Sequence, residues 1–352
     1  MSITVADFFS GCGGTCAGFR GAGLDLLLAL DNDRDARSTF EVNFPGTPFI
    51  CRDIRNVAPT DIEYLVLNSR GQGKTLLFSA CAPCQPFSIQ RRNRRRSDER
   101  YPLLLEFLRF VWYFRPELVF LENVPGVDQV YGSVRPFATC LDTLRSNGYS
   151  VEHRVINCWD YGIPQRRRRL LLVASRLGPI RFPEPSHGPG TASPEYPKVR
   201  DWISDLPRIE AGETHPDVPN HRASTLSELN LRRIRATPAE STRVKWPEEL
   251  VLECHKNGHR GHTDVYGRLR WDEPATAITT RCISLSNGRF GHPEQDRALS
   301  IREAACLQTF DRDFIFTGSM NSMARQVGNA VPVLLAKHVG EHFLRHVAEY
   351  KK

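Results

Sequence analysis

The sequence predicts an α/β protein with a doubly wound, mostly parallel sheet and a smaller, loop-rich domain. Short apolar runs alternate with amphipathic stretches through the first half of the chain, as they do when helices cover a parallel sheet. From Gly178 onward, closely spaced prolines and glycines interrupt this pattern. The length of 352 residues fits two domains. We therefore place a domain boundary near residue 180.

Each regular element is predicted from a local pattern. Short apolar runs bounded by turn residues predict seven strands: Ile3 to Phe9, Leu26 to Leu30, Pro48 to Ile50, Leu76 to Ser79, Leu118 to Leu121, Val151 to Asn157 and Leu170 to Ala174. Helical spacing of apolar residues predicts helices over Leu103 to Val111, Ser227 to Ala236, Ser300 to Leu307 and Val331 to Val347. Elsewhere in residues 186 to 300 no clear period appears.

Composition excludes several protein classes. Hydrophobic residues make up 40% and charged residues 25% of the chain, and this composition excludes a chain that is disordered over its whole length. No apolar stretch reaches the roughly 18 to 20 residues of a membrane helix, and the first residues lack a basic signal-peptide region. The ten cysteines are spread along the chain, which favours reduced thiols. We expect a cytoplasmic protein without membrane contact.

The cationic residues are mostly arginine. The net charge is +7, and 40 arginines accompany only 7 lysines. Arginine binds phosphate and guanine through two parallel hydrogen bonds, so this composition permits nucleic-acid binding. A GC-rich genome would produce the same bias without such a function.

Glycines and acidic residues follow the first three predicted strands. In Asp7-Phe8-Phe9-Ser10-Gly11-Cys12-Gly13-Gly14, three glycines lie where a strand turns into a helix, so that the backbone can approach a ligand. Asp31 ends the second strand, where a carboxylate can accept hydrogen bonds from ribose hydroxyls, and Asp53-Ile54 follows the third. A glycine loop alone could be a structural turn. Three such strand ends together favour an adenosine-type cofactor.

Cys84 follows the fourth strand, in Ala82-Pro83-Cys84-Gln85-Pro86. Its flanking prolines fix φ and hold the cysteine on a rigid loop. A catalytic thiol there needs cationic or dipolar help to ionise. The alternatives are a buried cysteine and a Cys81–Cys84 redox pair, which Pro86 disfavours because a helix normally follows such a motif.

Two further strand ends carry charge. Glu122 follows an apolar run, where a carboxylate could donate a proton or hydrogen bond; a helix cap or an ion pair is the structural alternative. The run Gln165 to Arg169 enters the seventh strand. Because alternate side chains of a strand share a face, we expect Arg167 and Arg169 to point together into the cleft. A solvated charge run is the alternative.

In this order the motifs resemble those of the C5-cytosine DNA methyltransferase family, over the whole chain. They are the glycine loop, Pro83-Cys84-Gln85, Glu122-Asn123-Val124, Gln165 with Arg167 and Arg169, Arg302-Glu303-Ala304-Ala305 with Leu307-Gln308, and Gln326-Val327-Gly328-Asn329-Ala330-Val331. The resemblance implies the S-adenosylmethionine-dependent methyltransferase fold. It also implies a discontinuous catalytic, cofactor-binding domain over residues 1–180 and 325–352, with a target-recognition domain over 181–324.

The resemblance implies a DNA (cytosine-5)-methyltransferase that forms S-adenosylhomocysteine from S-adenosylmethionine. Its substrate would be a cytosine flipped out of double-stranded DNA. Cys84 would attack C6 of the base, and Glu122 would engage N3 and the exocyclic amine. Arg169 would hold the base carbonyl, while Arg167 would support the site electrostatically.

The resemblance also implies the ligand contacts. Cofactor-binding residues would be Phe9, Gly11, Gly13, Gly14, Asp31, Asp53, Ile54, Pro83, Leu103 and Asn329, and DNA-binding residues on the loop after Cys84 would be Ser88, Arg91, Arg92, Arg94, Arg95 and Arg96. The family motifs do not cover the recognition domain, where the polar residues of its turn-rich end are candidate DNA contacts: Arg268, Arg270, Thr279, Thr280, Arg281 and Asn287. The arginine loop lacks the hinge glycine common in the family, since no glycine lies between Gly73 and Gly126.

We expect a monomer that acts on DNA beside a cognate restriction endonuclease, and no metal. Cys254, His255, His259, His262 and Cys282 lack the paired spacing of a zinc site. Two other functions stay open. A tRNA cytosine-5 methyltransferase of the same fold typically carries a Cys-Phe-Thr tripeptide, which is absent here. A catalytically inactive DNA-binding regulator would lack the nucleophile or the acid, and both are present.

Overall fold

The computed structural model describes residues 2–83, 103–127, 136–243, 246–253, 256 and 264–351. The chain forms two compact units. The first comprises Met1–Asn157, Arg168–Pro185 and Val331–Lys352, and the second comprises Cys158–Arg167 and Ser186–Ala330. Residues 158–167 and 325–330, which the sequence analysis placed in the catalytic domain, are grouped with the second unit.

A seven-stranded sheet forms the centre of the first unit. The strands of the protein are β1 (Ile3–Phe8), β2 (Asp25–Asp31), β3 (Phe49–Cys51), β4 (Thr75–Ala80), β5 (Leu118–Asn123), β6 (Ser150–Asn157), β7 (Gln165–Arg166), β8 (Arg168–Ser175) and β9 (Ala275–Thr276). The strand order is β3-β2-β1-β4-β5-β8-β6. All neighbours from β3 to β5 are parallel, whereas β8 is antiparallel to both β5 and β6. The predicted strands and the mostly parallel sheet are confirmed.

The helices agree with the predicted ones where a prediction was made. They are α1 (Gly14–Gly21), α2 (Arg34–Asn43), α3 (Glu63–Gly71), α4 (Leu103–Phe114), α5 (Pro136–Ser146), α6 (Arg200–Ile203), α7 (Glu228–Arg235), α8 (Ile301–Leu307), α9 (Met320–Asn329) and α10 (Val333–Tyr350). Helix α9 was not predicted as a helix. Its signal was the N-cap, because the Ser319 side chain accepts a hydrogen bond from the Ser322 N–H. Within the described part of the chain, no helix is long and apolar enough to cross a membrane.

The core of the first unit is apolar on both faces of the sheet. Strands β1, β4 and β5 are buried along their whole length, as expected for central parallel strands. On one face, α4 contributes Phe107 and Phe110, whose rings pack against Phe8 of β1. Elsewhere in this unit, α1 and α10 pack closely. A Cβ atom at Gly18 would lie 2.3 Å from the Val333 carbonyl oxygen.

We expect Gly18→Ala to destabilise the first unit, because the added methyl group has no room between α1 and α10. The expected loss is about 1–3 kcal/mol or more in the free energy of unfolding. Gly21→Ala is the matched control in the same helix, since within the described part of the chain its Cβ would meet the Lys337 side chain alone, at 3.9 Å. That variant is expected to be neutral or more stable by up to about 1 kcal/mol. Denaturant unfolding of both proteins measures the difference, and equal stabilities would contradict the close packing.

The second unit has little regular structure and contains buried charges. Strands β7 and β9 form a two-stranded parallel sheet. Glu303 of α8 is 1% exposed and accepts two hydrogen bonds from Arg297, at 2.7 and 2.6 Å. Burial alone would raise the pKa of Glu303, but Arg297 outweighs it and lowers the pKa to about 2. Burial also lowers the pKa of His292 to about 4, although Glu303 opposes this shift.

These shifts predict that the second unit loses stability in acid. Between about pH 6.5 and 4 the unfolded chain protonates His292 while the folded chain does not, and below about pH 4.3 the same applies to Glu303. We expect His292→Asn, which keeps an acceptor near the Nδ1 position, to flatten the fall in melting temperature between pH 7 and 5. One proton accounts for up to about 1.4 kcal/mol per pH unit. An unchanged slope in the variant would contradict the assignment.

Candidate active site

In the first unit, the described candidate residues gather at one edge of the sheet. Because β1, β2, β4 and β5 are parallel or linked through parallel neighbours, their carboxyl ends meet at that edge. The glycine loop follows β1, and Asp31 is the last residue of β2. Ala82 and Pro83 follow β4, and Glu122 lies near the end of β5. This edge is therefore the candidate site.

The glycine loop has a strained backbone and open space beside it. Phe9, Gly11 and Gly13 have φ values of 56°, 53° and 94°. A Cβ at Gly13 would lie 2.5 Å from the Phe44 ring, so both space and backbone conformation require glycine there. At Gly11, apart from its chain neighbours, no atom of the described residues lies within 4 Å of the Cβ position. The loop thus offers bare backbone to a ligand before α1 begins at Gly14.

Asp31 is tied to this loop. Its Oδ2 accepts the Gly11 N–H at 2.8 Å, and its Oδ1 accepts the Asp33 N–H at 3.0 Å. Burial raises the pKa of Asp31, while these N–H groups act against the rise. A carboxylate has about four acceptor positions, so these contacts leave capacity for a ligand hydroxyl.

Asp7 was not predicted as a site residue, yet it lies fully buried in β1 just before the loop. Its Oδ2 accepts a hydrogen bond from the Cys16 thiol of α1 at 3.2 Å. Burial raises the pKa of Asp7 to about 7, with Ser79 and Cys16 opposing the shift. The sequence signal was a carboxylate inside an apolar strand that directly precedes a glycine loop.

Asp53 and Ile54 form the turn after β3. The Asp53 carboxylate is bound by Arg55, which lowers its pKa. Ile54 is 2% exposed, and its carbonyl oxygen accepts a hydrogen bond from Arg109 of α4 at 3.0 Å. Leu103, the first residue of α4, is buried in the core of the same unit. Asp53 thus lies on a turn that α4 holds in place.

Glu122 forms an ion pair with Arg169. The Arg169 Nε lies 2.6 Å from the Glu122 Oε1, and the two side chains are 16% and 10% exposed. In the antiparallel ladder Asn123 pairs with Leu170, so Arg169, the second residue of β8, lies where β5 ends. The Arg169 Nη1 also donates to the Arg168 carbonyl at 2.7 Å. Arg169 therefore restrains the Glu122 carboxylate at the edge of the sheet.

An apolar pocket adjoins this carboxylate. It is lined by Ala80, Ala82, Leu104, Leu121, Glu122, Asn123, Phe137, Leu170 and Leu172. The Asn123 side-chain amide donates to the Ala82 carbonyl at 3.4 Å, which links β5 to the loop after β4. Pro83 is the last described residue of that loop and is exposed.

Arg167 is a buried residue of the second unit. It lies between β7 and β8, where its N–H donates to the Gln165 carbonyl, so Gln165 to Arg169 is not one continuous strand. Strand alternation therefore does not relate Arg167 to Arg169. The Arg167 guanidinium donates to the carbonyl oxygens of Ile278 at 2.7 Å and Gly328 at 3.1 Å.

Two glutamines extend this network. Gln165 donates to the Gln308 side chain at 2.7 Å and accepts from the Ile278 N–H. Gln308 donates to the Val327 carbonyl at 2.6 Å, next to the C-terminal end of α9. Both glutamines are fully buried. The network fixes the end of α9, where Asn329 lies exposed as the last helical residue.

Comparisons with known proteins identify the family. Residues 3–345 match the family model of C-5 cytosine-specific DNA methylases. The chain is 40% identical to the type II methylase M.HgiDII of Herpetosiphon aurantiacus, over 98% of this chain and 96% of that protein. It is 32% identical to the type II methyltransferase M1.HphI of Haemophilus parahaemolyticus, over 98% and 87% of the two chains.

The chain belongs to the C-5 cytosine-specific DNA methylase family. The predicted enzyme class, a DNA (cytosine-5)-methyltransferase, is confirmed. A prophage-encoded Escherichia coli protein, described as a DNA modification methyltransferase, shares the fold with a TM-score of 0.76. That likeness covers 99% of this chain and all of the other, at 20% identity. Family and fold are those of methyltransferases that use S-adenosylmethionine.

Arg268 was predicted to contact DNA, but its side chain is buried inside the second unit. Its side chain is 4% exposed, and its guanidinium donates five hydrogen bonds. The acceptors are the carbonyl oxygens of Ile234, Thr237, His292 and Gln295 and the carboxylate of Asp296. Arginine has five N–H donors, so all of them are used inside the second unit.

The other candidate DNA contacts of this unit are more accessible. Arg281 is exposed, and Arg270 is 44% exposed beside Glu273 at 2.7 Å. Thr279 and Thr280 are half-buried, and a Cβ at Gly328 would lie 2.2 Å from the Thr279 backbone. Asn287 is exposed, with its amide on Ser284 and Ser286. These residues stay predicted DNA contacts.

The family motif on α8 is structural. Arg302 is fully buried and donates to the carbonyl oxygens of Pro219, Asp311 and Phe314. Its neighbour Glu303 accepts hydrogen bonds from the Arg297 guanidinium and from the backbone N–H of Ser300, the N-cap residue of α8. The motif could be recognised in the sequence, but the sequence did not show that the side chains of Arg302 and Glu303 are buried.

Several predicted residues lie outside the described part of the chain. They are Cys84, Ser88, Arg91, Arg92, Arg94, Arg95 and Arg96, together with Cys254, His255, His259 and His262. The eight described cysteines are free thiols, and burial raises the pKa of Cys282 to about 12. Among the described residues, no three His, Cys, Asp or Glu side chains group as metal ligands.

We expect Arg268→Ala to lower the free energy of unfolding by at least about 3 kcal/mol, because it leaves buried acceptors without donors. The exposed Arg270→Ala should cost no more than about 1 kcal/mol. In DNA binding measured against salt concentration, Arg270→Ala should reduce the log–log slope by about 1 if Arg270 contacts a phosphate. A folded Arg268→Ala protein with a reduced salt slope would contradict the structural role.

Proposed function

We propose that this enzyme transfers a methyl group from S-adenosylmethionine to C5 of a cytosine flipped out of a specific duplex DNA sequence. The reaction would pass through a covalent bond between Cys84 and C6 of the base. The observation that carries the proposal is the Glu122–Arg169 pair at the edge of an apolar pocket, on the sheet edge that also bears the glycine loop.

The residues at this edge suit the cofactor. Gly11 leaves open space beside the loop, and Asp31 keeps acceptor capacity for ribose hydroxyls. Asp53 and Ile54 would contact adenine, and Phe9 would stack on its ring. We assign the remaining cofactor contacts to Gly13, Gly14, Pro83, Leu103 and Asn329. When bound, S-adenosylmethionine supplies a methyl group activated on a sulfonium sulfur.

Attack by Cys84 solves the central chemical problem. Cytosine C5 is a weak nucleophile while the ring is aromatic. A bond from the Cys84 sulfur to C6 would break that aromaticity and place electron density on C5. After C5 has taken the methyl group, loss of its proton to a base would allow the C6–sulfur bond to break. The thiolate is then regenerated and the aromatic ring restored.

Glu122 and Arg169 would hold the base and stabilise its charge. Glu122 would engage N3 and the exocyclic amine, where negative charge develops during the attack. Arg169 already commits Nε to Glu122 and Nη1 to the Arg168 carbonyl. We therefore assign its Nη2 to the base carbonyl. Arg167 donates hydrogen bonds to the carbonyl oxygens of Ile278 and Gly328, which supports a positioning role. Its positive charge would also support the site electrostatically.

The loop after Cys84 would bind the DNA backbone. Ser88 and the arginines of residues 91–96 would contact phosphates, which would make binding strongly dependent on salt. Relatives of this chain are named type II methylases, so we propose a cognate restriction endonuclease that recognises the same site. We further propose that the enzyme acts as a monomer.

Labelled S-adenosylmethionine and duplex DNA test the catalytic roles. Cys84→Ala should abolish methyl transfer, and Glu122→Gln should lower kcat by about 100-fold or more while keeping the shape of the side chain. Cys51→Ser is the control, because it changes a cysteine that the proposal does not use. Methylation by the Cys84→Ala protein would refute the nucleophile.

A covalent trap and a sequence readout test the remainder. DNA that carries 5-fluorocytosine should form a stable adduct with the wild-type protein and none with Cys84→Ala, because fluorine cannot leave C5 as a proton does. Bisulfite sequencing of DNA from a methylation-free host identifies the target sequence. Transfer to tRNA but not to DNA would favour the alternative substrate.

A further inference from the structure

Arg55 donates three hydrogen bonds to the Asp53 carboxylate. The Arg55 N–H and Nε lie 2.9 and 3.0 Å from Oδ1, and Nη2 lies 2.7 Å from Oδ2. The Asp53 side chain is 22% exposed, so this contact is partly shielded from water. Such a fork fixes the plane of the carboxylate as well as its charge.

The three hydrogen bonds from Arg55 use three of the roughly four acceptor positions of the Asp53 carboxylate. Each carboxylate oxygen offers about two acceptor positions. Both positions of Oδ1 are taken by Arg55, whereas among the described residues Nη2 of Arg55 is the one donor to Oδ2. The backbone of the same turn is held from α4, where Arg109 donates to the Ile54 carbonyl. One acceptor position on Oδ2 therefore has a fixed direction.

We propose that Arg55 is a positioning residue that orients the remaining acceptor of Asp53 toward the exocyclic amine of the cofactor's adenine. This inference rests on the proposed function, in which Asp53 contacts adenine. Arg55 then determines how well the site distinguishes adenine from a purine without the amine. It does so through Asp53 and without contacting the ligand.

The neighbouring Arg52 provides a contrast. Arg52 directly precedes Asp53 in the chain, but its Nη1 is 3.8 Å from Asp61, and its side chain is 63% exposed. A single long contact in water neither orients a carboxylate nor contributes much free energy. Loss of either arginine removes one positive charge from the same turn. Substitution of Arg55 removes two of the three donors to Asp53, whereas substitution of Arg52 removes none of them.

Calorimetric binding of two ligands to the full-length protein tests the inference. The ligands are S-adenosylhomocysteine and S-inosylhomocysteine, in which a carbonyl replaces the adenine amine. Arg55→Gln should weaken S-adenosylhomocysteine binding by about three- to tenfold, the usual effect of one hydrogen bond. It should leave S-inosylhomocysteine binding unchanged. Arg55→Lys, which keeps the charge but not the fork, should recover only part of the loss, and Arg52→Gln should change neither affinity.

The outcomes separate this inference from the proposed cofactor site. Equal losses for both ligands in Arg55→Gln would mean a general disturbance of the turn and would overturn the positioning role. No loss for S-adenosylhomocysteine would overturn it as well. In both cases wild-type binding would leave the cofactor proposal standing. A wild-type protein that does not bind S-adenosylhomocysteine would remove both.

Discussion

The reversed direction of β8 is the constraint on which the candidate site depends. In a wholly parallel sheet, the start of a strand lies at the edge opposite to the ends of its neighbours. Because β8 runs antiparallel to β5, its first residues reach the edge where β5 ends. Arg169 at the start of one strand can therefore pair with Glu122 near the end of the other. One inverted strand thus brings Arg169 to the edge that also carries the glycine loop and Asp31.

The short run from Gln165 to Arg169 shows how neighbouring residues acquire different roles. The division between the two units falls between Arg167 and Arg168. The Arg167 guanidinium donates hydrogen bonds to backbone carbonyl oxygens of the second unit, whereas Arg169 forms an ion pair with the Glu122 carboxylate of the first unit. A buried arginine that satisfies carbonyl oxygens fixes the backbone around it, since those acceptors would be costly to leave unpaired.

Sequence patterns were sufficient for the seven strands of the large sheet and insufficient for the arginines. These seven strands could be predicted because each is a short apolar run with turn residues at its ends, which are local properties. The two-residue strands β7 and β9 were not predicted. Arg268 looked like a polar surface residue, and only the folded chain brings five acceptors around it. The break at Arg167 likewise depends on partners more than 100 residues away. Asp7 was missed because its burial follows from strand order.

The acids of the candidate site differ in how the protein holds them. Asp53 and Glu122 each have an arginine, and Asp31 has backbone N–H groups. Asp7 has a neutral thiol, and its pKa is raised to about 7. The first three need little rearrangement to receive a ligand, because their orientation is already fixed. The acids that the proposed mechanism and cofactor site use thus accept hydrogen bonds from arginine or from backbone N–H groups, whereas Asp7, which they do not use, accepts one from the Cys16 thiol.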